Sequence, residues 1–229
     1  MTPAVRGSAK RRPTSRWRAM TAPLLAVLGT LAATPATNAH PHVWIDSSMV
    51  VHFNDDGRID ALTMVWRFDD LYSVFAIKGA DQDQDGKTTP EELHAMAADT
   101  VQHLKEWKYF SDIRFGATEL RAGAIRSFDN IDDDGILQFS FTMPLSDPVD
   151  PMTQPLRVTS YDPSYFIAFQ NDTEHASRAE GPMPDMCRIV TYDPDEEQTT
   201  VADNLAMALS TDRTWAAKYG PKTVVECAQ

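Results

Sequence analysis

The segment Asp81-Gln82-Asp83-Gln84-Asp85-Gly86-Lys87-Thr88-Thr89-Pro90-Glu91-Glu92 spaces its oxygen donors as a hard cation requires. In a twelve-residue EF-hand loop, carboxylates stand at positions 1, 3 and 5 and a glycine allows the sharp bend at 6. A backbone carbonyl serves at 7, and a bidentate glutamate closes the shell at 12. Asp81, Asp83, Asp85, Gly86, the Lys87 carbonyl and Glu92 fill those places. The expected ion is calcium. No second hand is visible, which favours a structural site over a sensor, since sensors work by moving paired helices. Two residues depart from the pattern. Thr88 stands where an apolar side chain is usual, and Pro90 lies inside the loop, where it would open the following helix. The rival reading is an acidic, capped loop that holds no ion, because short motifs also match by chance.

A second group of residues carries nitrogen chemistry. In His40-Pro41-His42-Val43-Trp44, cleavage before His40 would leave an α-amine and an imidazole able to chelate one ion, with His42 adding a further nitrogen. Such ligands suit zinc, nickel, cobalt or copper better than calcium. Pro41 has no N–H to lose, so a terminal site built on deprotonated backbone amides is excluded and a histidine brace is what remains. The alternative is a solvated chain end with an accidental histidine pair. His94 and His103 fall half a turn out of phase on one helix and cannot share an ion if that helix is continuous. His52 is on the strand face of His42 but about 33 Å along it. His175, in Asn171-Asp172-Thr173-Glu174-His175, becomes a ligand only if folding brings it near His42.

The chain ahead of these motifs reads as an export leader. Arg6, Lys10, Arg11, Arg12, Arg16 and Arg18 occur with no Asp or Glu before the apolar run Ala22 to Ala33, and Thr37 and Ala39 offer small side chains to a signal peptidase. The run is broken by Pro23 and Gly29 and falls short of the roughly twenty residues needed to cross a bilayer. Cleavage after Ala39 would remove six of the 21 basic residues and none of the 33 acidic ones, taking the net charge from −12 to −18. So acidic a surface repels nucleic acid and anionic lipid and attracts cations. The two cysteines, Cys187 and Cys227, lie in the exported part, where an oxidising compartment favours their pairing. A soft-metal thiolate pair is the competing role, though no further cysteine is present to complete it.

Hydrophobic period then shows what must position the motifs. Val43, Ile45, Met49, Val51 and Phe53 alternate with polar residues, Asn54-Asp55-Asp56-Gly57 turns the chain, and Leu62, Met64, Trp66 and Phe68 alternate on the return, which predicts a hairpin. A second hairpin is predicted at Asp132-Asp133-Asp134-Gly135, followed by Leu137, Phe139, Phe141 and Met143. It lacks the later glutamate of a calcium loop. Between the hairpins, helices are predicted from Leu71 to Lys78, capped by Asp69 or Asp70, and from Pro90 to Phe110, with a core stripe of Leu93, Met96, Ala97, Val101, Leu104 and Trp107. After Pro144 a Pro- and Asp-rich loop leads to strands at Leu156 to Tyr161, Tyr165 to Phe169, Arg188 to Tyr192 and Thr223 to Cys227, with a short helix at Thr200 to Leu209. The expected class is α+β: one domain over residues 40–229 with an antiparallel, sandwich-like sheet, carrying an EF-hand-like helix-loop-helix insertion at 69–110.

In chain order, His40-Pro41-His42-Val43-Trp44-Ile45-Asp46, Trp66-Arg67-Phe68-Asp69-Asp70, the acidic loop, Tyr161-Asp162-Pro163-Ser164-Tyr165-Phe166, Cys187 and Val224-Val225-Glu226-Cys227 resemble the domain-of-unknown-function 1007 family. That family is described as an uncharacterised periplasmic component of ABC-type transport, with genes often beside a nickel/cobalt-class permease. The resemblance implies a periplasmic accessory role in transition-metal transport, zinc included, with an inner-membrane metal permease as partner. The leading expectation is therefore a periplasmic metal-binding accessory protein. His40 and His42 would be its ligands for zinc or nickel/cobalt, copper not excluded, and the acidic loop its structural calcium site. The sequence has no Gly-rich phosphate loop, no Cys near a His and no Gly-x-Ser-x-Gly elbow, so no catalytic residue is assigned. Two other classes stay open: a copper oxidase using a histidine brace at His40, and a calcium-stabilised interaction module.

Overall fold

The computed structural model describes residues 41–193 and 217–228. The chain divides between Ala39 and His40, and every described residue belongs to the second unit. The expected leader, His40 and the expected helix at Thr200 to Leu209 lie outside the described residues.

Two sheets and two helices make up the described part. Strand β1 (Val43–Phe53) turns through Asn54 to Arg58 into β2 (Ile59–Phe68). Asn54 accepts the amides of Asp56 and Arg58 through its side chain. Gly57 supplies the positive φ, 72°, that the turn demands. Helices α1 (Asp70–Ala80) and α2 (Pro90–Leu104) follow, then a 3-10 segment (Lys105–Phe110). The remaining strands are β3 (Ser111–Phe115), β4 (Thr118–Glu119), β5 (Ser127–Asp133), β6 (Ile136–Val149), β7 (Leu156–Ser160), β8 (Ile167–Asn171), β9 (Arg178–Glu180), β10 (Cys187–Tyr192) and β11 (Lys222–Cys227).

The larger sheet runs β5-β6-β2-β1-β8, with β9 also on β1, and the smaller runs β10-β11-β7-β3-β4. Most pairings are antiparallel, as expected, and the exceptions are the parallel pairings of β1 with β8 and β9. The two short strands share one edge of β1: Ile167 to Asn171 lies along Val43 to Ser47, and Arg178 to Glu180 along Val50 to His52. A parallel neighbour needs a long crossover, not a tight turn, so local turn chemistry does not announce it.

Residues from both sheets meet in one core, with Ile45, Val51, Leu62, Met64, Phe139 and Met143 of the larger sheet against Leu156, Val158 and Val225 of the smaller. Trp66 is 2% exposed at its centre. Its ring lies edge-on to Phe139, Phe141 and Phe169 at centroid separations of 5.8 Å, 5.0 Å and 5.3 Å, the arrangement that aromatic quadrupoles favour. Helix α2 adds Ala97, Val101 and Leu104 to this core. The helix ends at Leu104, six residues before the predicted Phe110. Trp107, expected in the stripe, is exposed, and Lys108, Tyr109 and Phe110 take φ of 52°, 55° and 49° as the chain bends into β3. The expected loop after Pro144 is also corrected, since β6 continues to Val149 and shifts register against β2 between Ala61 and Ile59.

Cys187 and Cys227 face one another across β10 and β11 and form a disulfide. Among the described residues no helix is long and apolar enough to cross a membrane.

Candidate cation site

The acidic loop connects α1 to α2, and each helix is pinned to the larger sheet. Ser73, completely buried, donates from its hydroxyl to the Phe68 carbonyl at 3.3 Å and accepts the Leu137 amide at 3.0 Å, which ties α1 to β6. The Asn130 amide group donates to the Leu93 carbonyl at 3.2 Å and ties α2 to β5. At the foot of the loop, Ala80 and Leu93 pack with Leu137 in a small apolar cluster. The helix ends that bracket residues 81–89 are thus set by the sheet below.

The loop's local chemistry follows from its sequence. Thr89 is the N-cap of α2 and Pro90 occupies the first turn, where its missing N–H costs nothing. Thr89 and Glu92 form a reciprocal capping box. The Glu92 amide donates to the Thr89 hydroxyl at 3.3 Å, and the Thr89 amide donates to Glu92 Oε2 at 2.9 Å. Thr88 has a specific use at its unexpected position, because its hydroxyl donates to the Ile77 carbonyl at 2.8 Å. That bond satisfies one of the orphan carbonyls at the end of α1. Gly86 has a φ of 86°, as the bend at position 6 requires.

Within the loop the carboxylates of Asp81, Asp83 and Asp85 each place a ligand oxygen within 4.8 Å of the others. Loop amides support them, with Gly86 donating to Asp81 Oδ2 at 2.9 Å, Asp85 to Asp83 Oδ1 at 3.1 Å and Lys87 to Asp85 Oδ1 at 2.8 Å. The other Asp81 oxygen, Oδ1, is buried and has no hydrogen-bond partner among the described residues. Glu92 stands apart from this trio. Its Oε1 accepts the Gln82 amide at 2.8 Å, so it clasps the loop's exit to its entrance. The Thr89 and then the Gln82 amide hydrogen bonds hold its carboxyl below the ordinary carboxylate value, because both favour the charged form.

The sequence motifs around the first histidines also meet. The Asp69 carboxylate accepts the amide of Tyr72, capping α1, and the amide of Trp44, each at 2.9 Å. The His42 amide donates to the Phe166 carbonyl at 2.8 Å, and the His42 ring lies 4.9 Å from that of Phe166. Asp162, 5% exposed, accepts the amides of Ser164 at 2.8 Å and Ile167 at 2.9 Å and so shapes the turn into β8. Asp69, beyond its expected capping, and Asp162 are structural residues whose roles sequence reasoning misses. The signal that could have found Asp162 is its place in Asp-Pro-Ser, a sequence suited to a side-chain-closed turn.

The other histidines are dispersed. His175 pairs with Asp172 at 3.1 Å, beyond the far end of β8, whereas His42 precedes β1 at the opposite end of the same parallel pair. The two therefore do not converge. His52 bonds Thr63 at 2.7 Å, His94 pairs with Asp129 at 3.1 Å and His103 with Asp99 at 3.6 Å, each separately.

No curated protein matches this chain. One family model does match, over residues 24–227, and on that match the chain belongs to the family described as a protein of unknown function, DUF1007.

Proposed function

We propose that residues 81–92 form an EF-hand-like calcium site that locks α1 to α2 in a periplasmic accessory protein of transition-metal transport. Two observations support the calcium reading: Asp81, Asp83 and Asp85 each place a carboxylate oxygen within 4.8 Å of the others, and Oδ1 of Asp81 is buried with no hydrogen-bond partner among the described residues. Three anions so close repel one another, and burying an acceptor without a partner is costly, so a divalent cation answers both at once. Asp81, Asp83, Asp85, the Lys87 carbonyl and Glu92 would hold the ion. Glu92 would exchange its bonds to Gln82 and Thr89 for the metal.

The transport reading rests on the family resemblance, with His40 and His42 as transition-metal ligands and a membrane permease as partner. His42 is exposed at the entry to β1. The disulfide accords with an oxidising compartment. A role in docking, which the interaction-module reading shares, is favoured by helix α1. Leu71, Val74 and Phe75 are 69%, 60% and 69% exposed and follow helical spacing on one face of the first turns of α1. Apolar side chains grouped on a surface in this way mark interaction sites.

The calcium site is tested by thermal unfolding of the exported protein with and without calcium. An affinity of about 10⁻⁴ to 10⁻³ M is expected, and a ligand at about 100 times its Kd adds roughly 2.7 kcal/mol, or about 5–10 °C for a domain of this size. An unchanged midpoint would exclude the site. For the transport reading, zinc, nickel and copper are titrated into three proteins: one starting at His40, one with an extra residue before it, and His42→Ala. Equal affinities in all three would remove the terminal site, and copper with oxygen consumption would point to the oxidase instead.

A further inference from the structure

A concavity separate from the acidic loop lies between the end of α2, the 3-10 segment, β3 and the connection from β4 to β5. Its volume is about 780 Å³, within the range of roughly 300–1,000 Å³ common for small-molecule sites. Val101, Ile113, Ile125 and Phe128 give it an apolar wall, and Lys105, Lys108 and Arg121 line it with positive charge. In a chain with a net charge of −12, three cations around one cavity run against the general surface. The lining includes one acid, Glu119, which pairs with Lys108 at 2.8 Å and leaves Lys105 and Arg121 to give the cavity an excess of positive charge. Lys105 also answers the negative end of α2, a duty that Arg121 does not have.

The walls are held in place from outside. Gly123 donates its amide to the Pro144 carbonyl at 2.8 Å, Ala122 bridges to Leu145, and Leu120 donates to Ile113 at 2.8 Å, so the β4–β5 connection is fixed to both sheets. Across the cavity, Lys108, Tyr109 and Phe110 are three successive non-glycine residues in the left-handed region. Backbone of this kind persists only where its surroundings over-determine it, and it gathers at ligand sites. Here Tyr109 rests on Phe141 and Phe110 on Trp66 and Phe169, while the Lys108 ammonium reaches Glu119.

We propose that this cavity binds a small organic anion with an apolar body, the anionic group taken by Arg121 and Lys105 and the body laid against Ile113, Ile125 and Phe128. This site is independent of the acidic loop and of the transport reading.

Two dyes with similar aromatic bodies test it on the exported protein: 8-anilinonaphthalene-1-sulfonate, an anion, and N-phenyl-1-naphthylamine, which lacks the sulfonate. Saturable binding of the anionic dye is expected. Arg121→Gln should weaken it about tenfold, the scale of one charged hydrogen bond, while the neutral dye changes little. Glu119→Gln releases Lys108 and should tighten binding of the anionic dye while the neutral dye changes little, whereas loosened packing exposes apolar surface and would raise the binding of both dyes. The proposal would be overturned by no saturable binding, by an affinity indifferent to both substitutions, or by equal loss of the two dyes with Arg121→Gln. If Phe75→Ser on α1 removed the binding instead, the dye would be seated on the exposed helix face and the cavity assignment would fail.

Discussion

Asp81 carries more of the acidic loop's tension than its neighbours, because Asp83 and Asp85 are exposed whereas its Oδ1 is sealed from water without a partner. Asp81→Asn should therefore abolish the calcium-induced rise in melting temperature and leave the calcium-free midpoint unchanged or higher, since it relieves repulsion. Calorimetric scans with calcium and with chelator check both halves. Glu92→Gln should behave differently. It removes one ligand and also weakens the capping box, so the calcium-free protein becomes less stable as the calcium response is lost. Acidity separates the two proposed metal sites. Glu92 titrates below its ordinary value, so its contribution is complete above about pH 4.5 and disappears only as the pH falls through the lowered value. Imidazole and amine ligands must lose protons to bind and release metal much nearer neutrality. Between about pH 7.5 and 5.5 the calcium response should persist while affinity for zinc or nickel falls steeply. A calcium response lost over that interval would show that carboxylates do not carry it.

At the scale of elements, the loop's geometry depends on two anchors under the helices. Ser73→Ala would leave the Leu137 amide buried and unpaired, a loss of about 1–3 kcal/mol, and would free α1 to move relative to β6. Urea unfolding should register the lost stability and a calcium titration the weaker affinity. A calcium affinity unchanged despite lost stability would mean that the loop holds its shape without the anchor. The helices and both hairpins are legible in the sequence because their signals are local: Thr89-Pro90 with Glu92 three residues after the cap, and the turn residues 54–57 and 132–135. Strand β3 goes unannounced, because the residues after Leu104 keep helical composition while the backbone reverses through Lys108 to Phe110. Strand β9 is three residues long and is defined by its pairing with β1, which leaves no periodic trace.

Across the whole molecule, the disulfide joins two strands already in register, and its sequence separation of 40 encloses residues 194–216. Replacing both cysteines by alanine should cost about 3–4 kcal/mol on the chain-entropy estimate, measured by guanidinium unfolding. Equal stability with and without the bridge would show that it does not restrict the unfolded chain. The residue types and spacing of 81–92, the turn chemistry, the caps and the alternation of β1, β2 and β6 were determined by the sequence itself, because each arises from contacts within a few residues. Only the tertiary structure decided that Asp69 would join α1 to the entry of β1, that His175 and His42 would stand at opposite ends of a parallel pair, and that Lys105, Lys108 and Arg121 would surround one cavity. Those placements depend on which strands neighbour β1 and where the chain reverses after α2. Such long-range pairings are settled by burial of a common core, which no short stretch of sequence specifies alone.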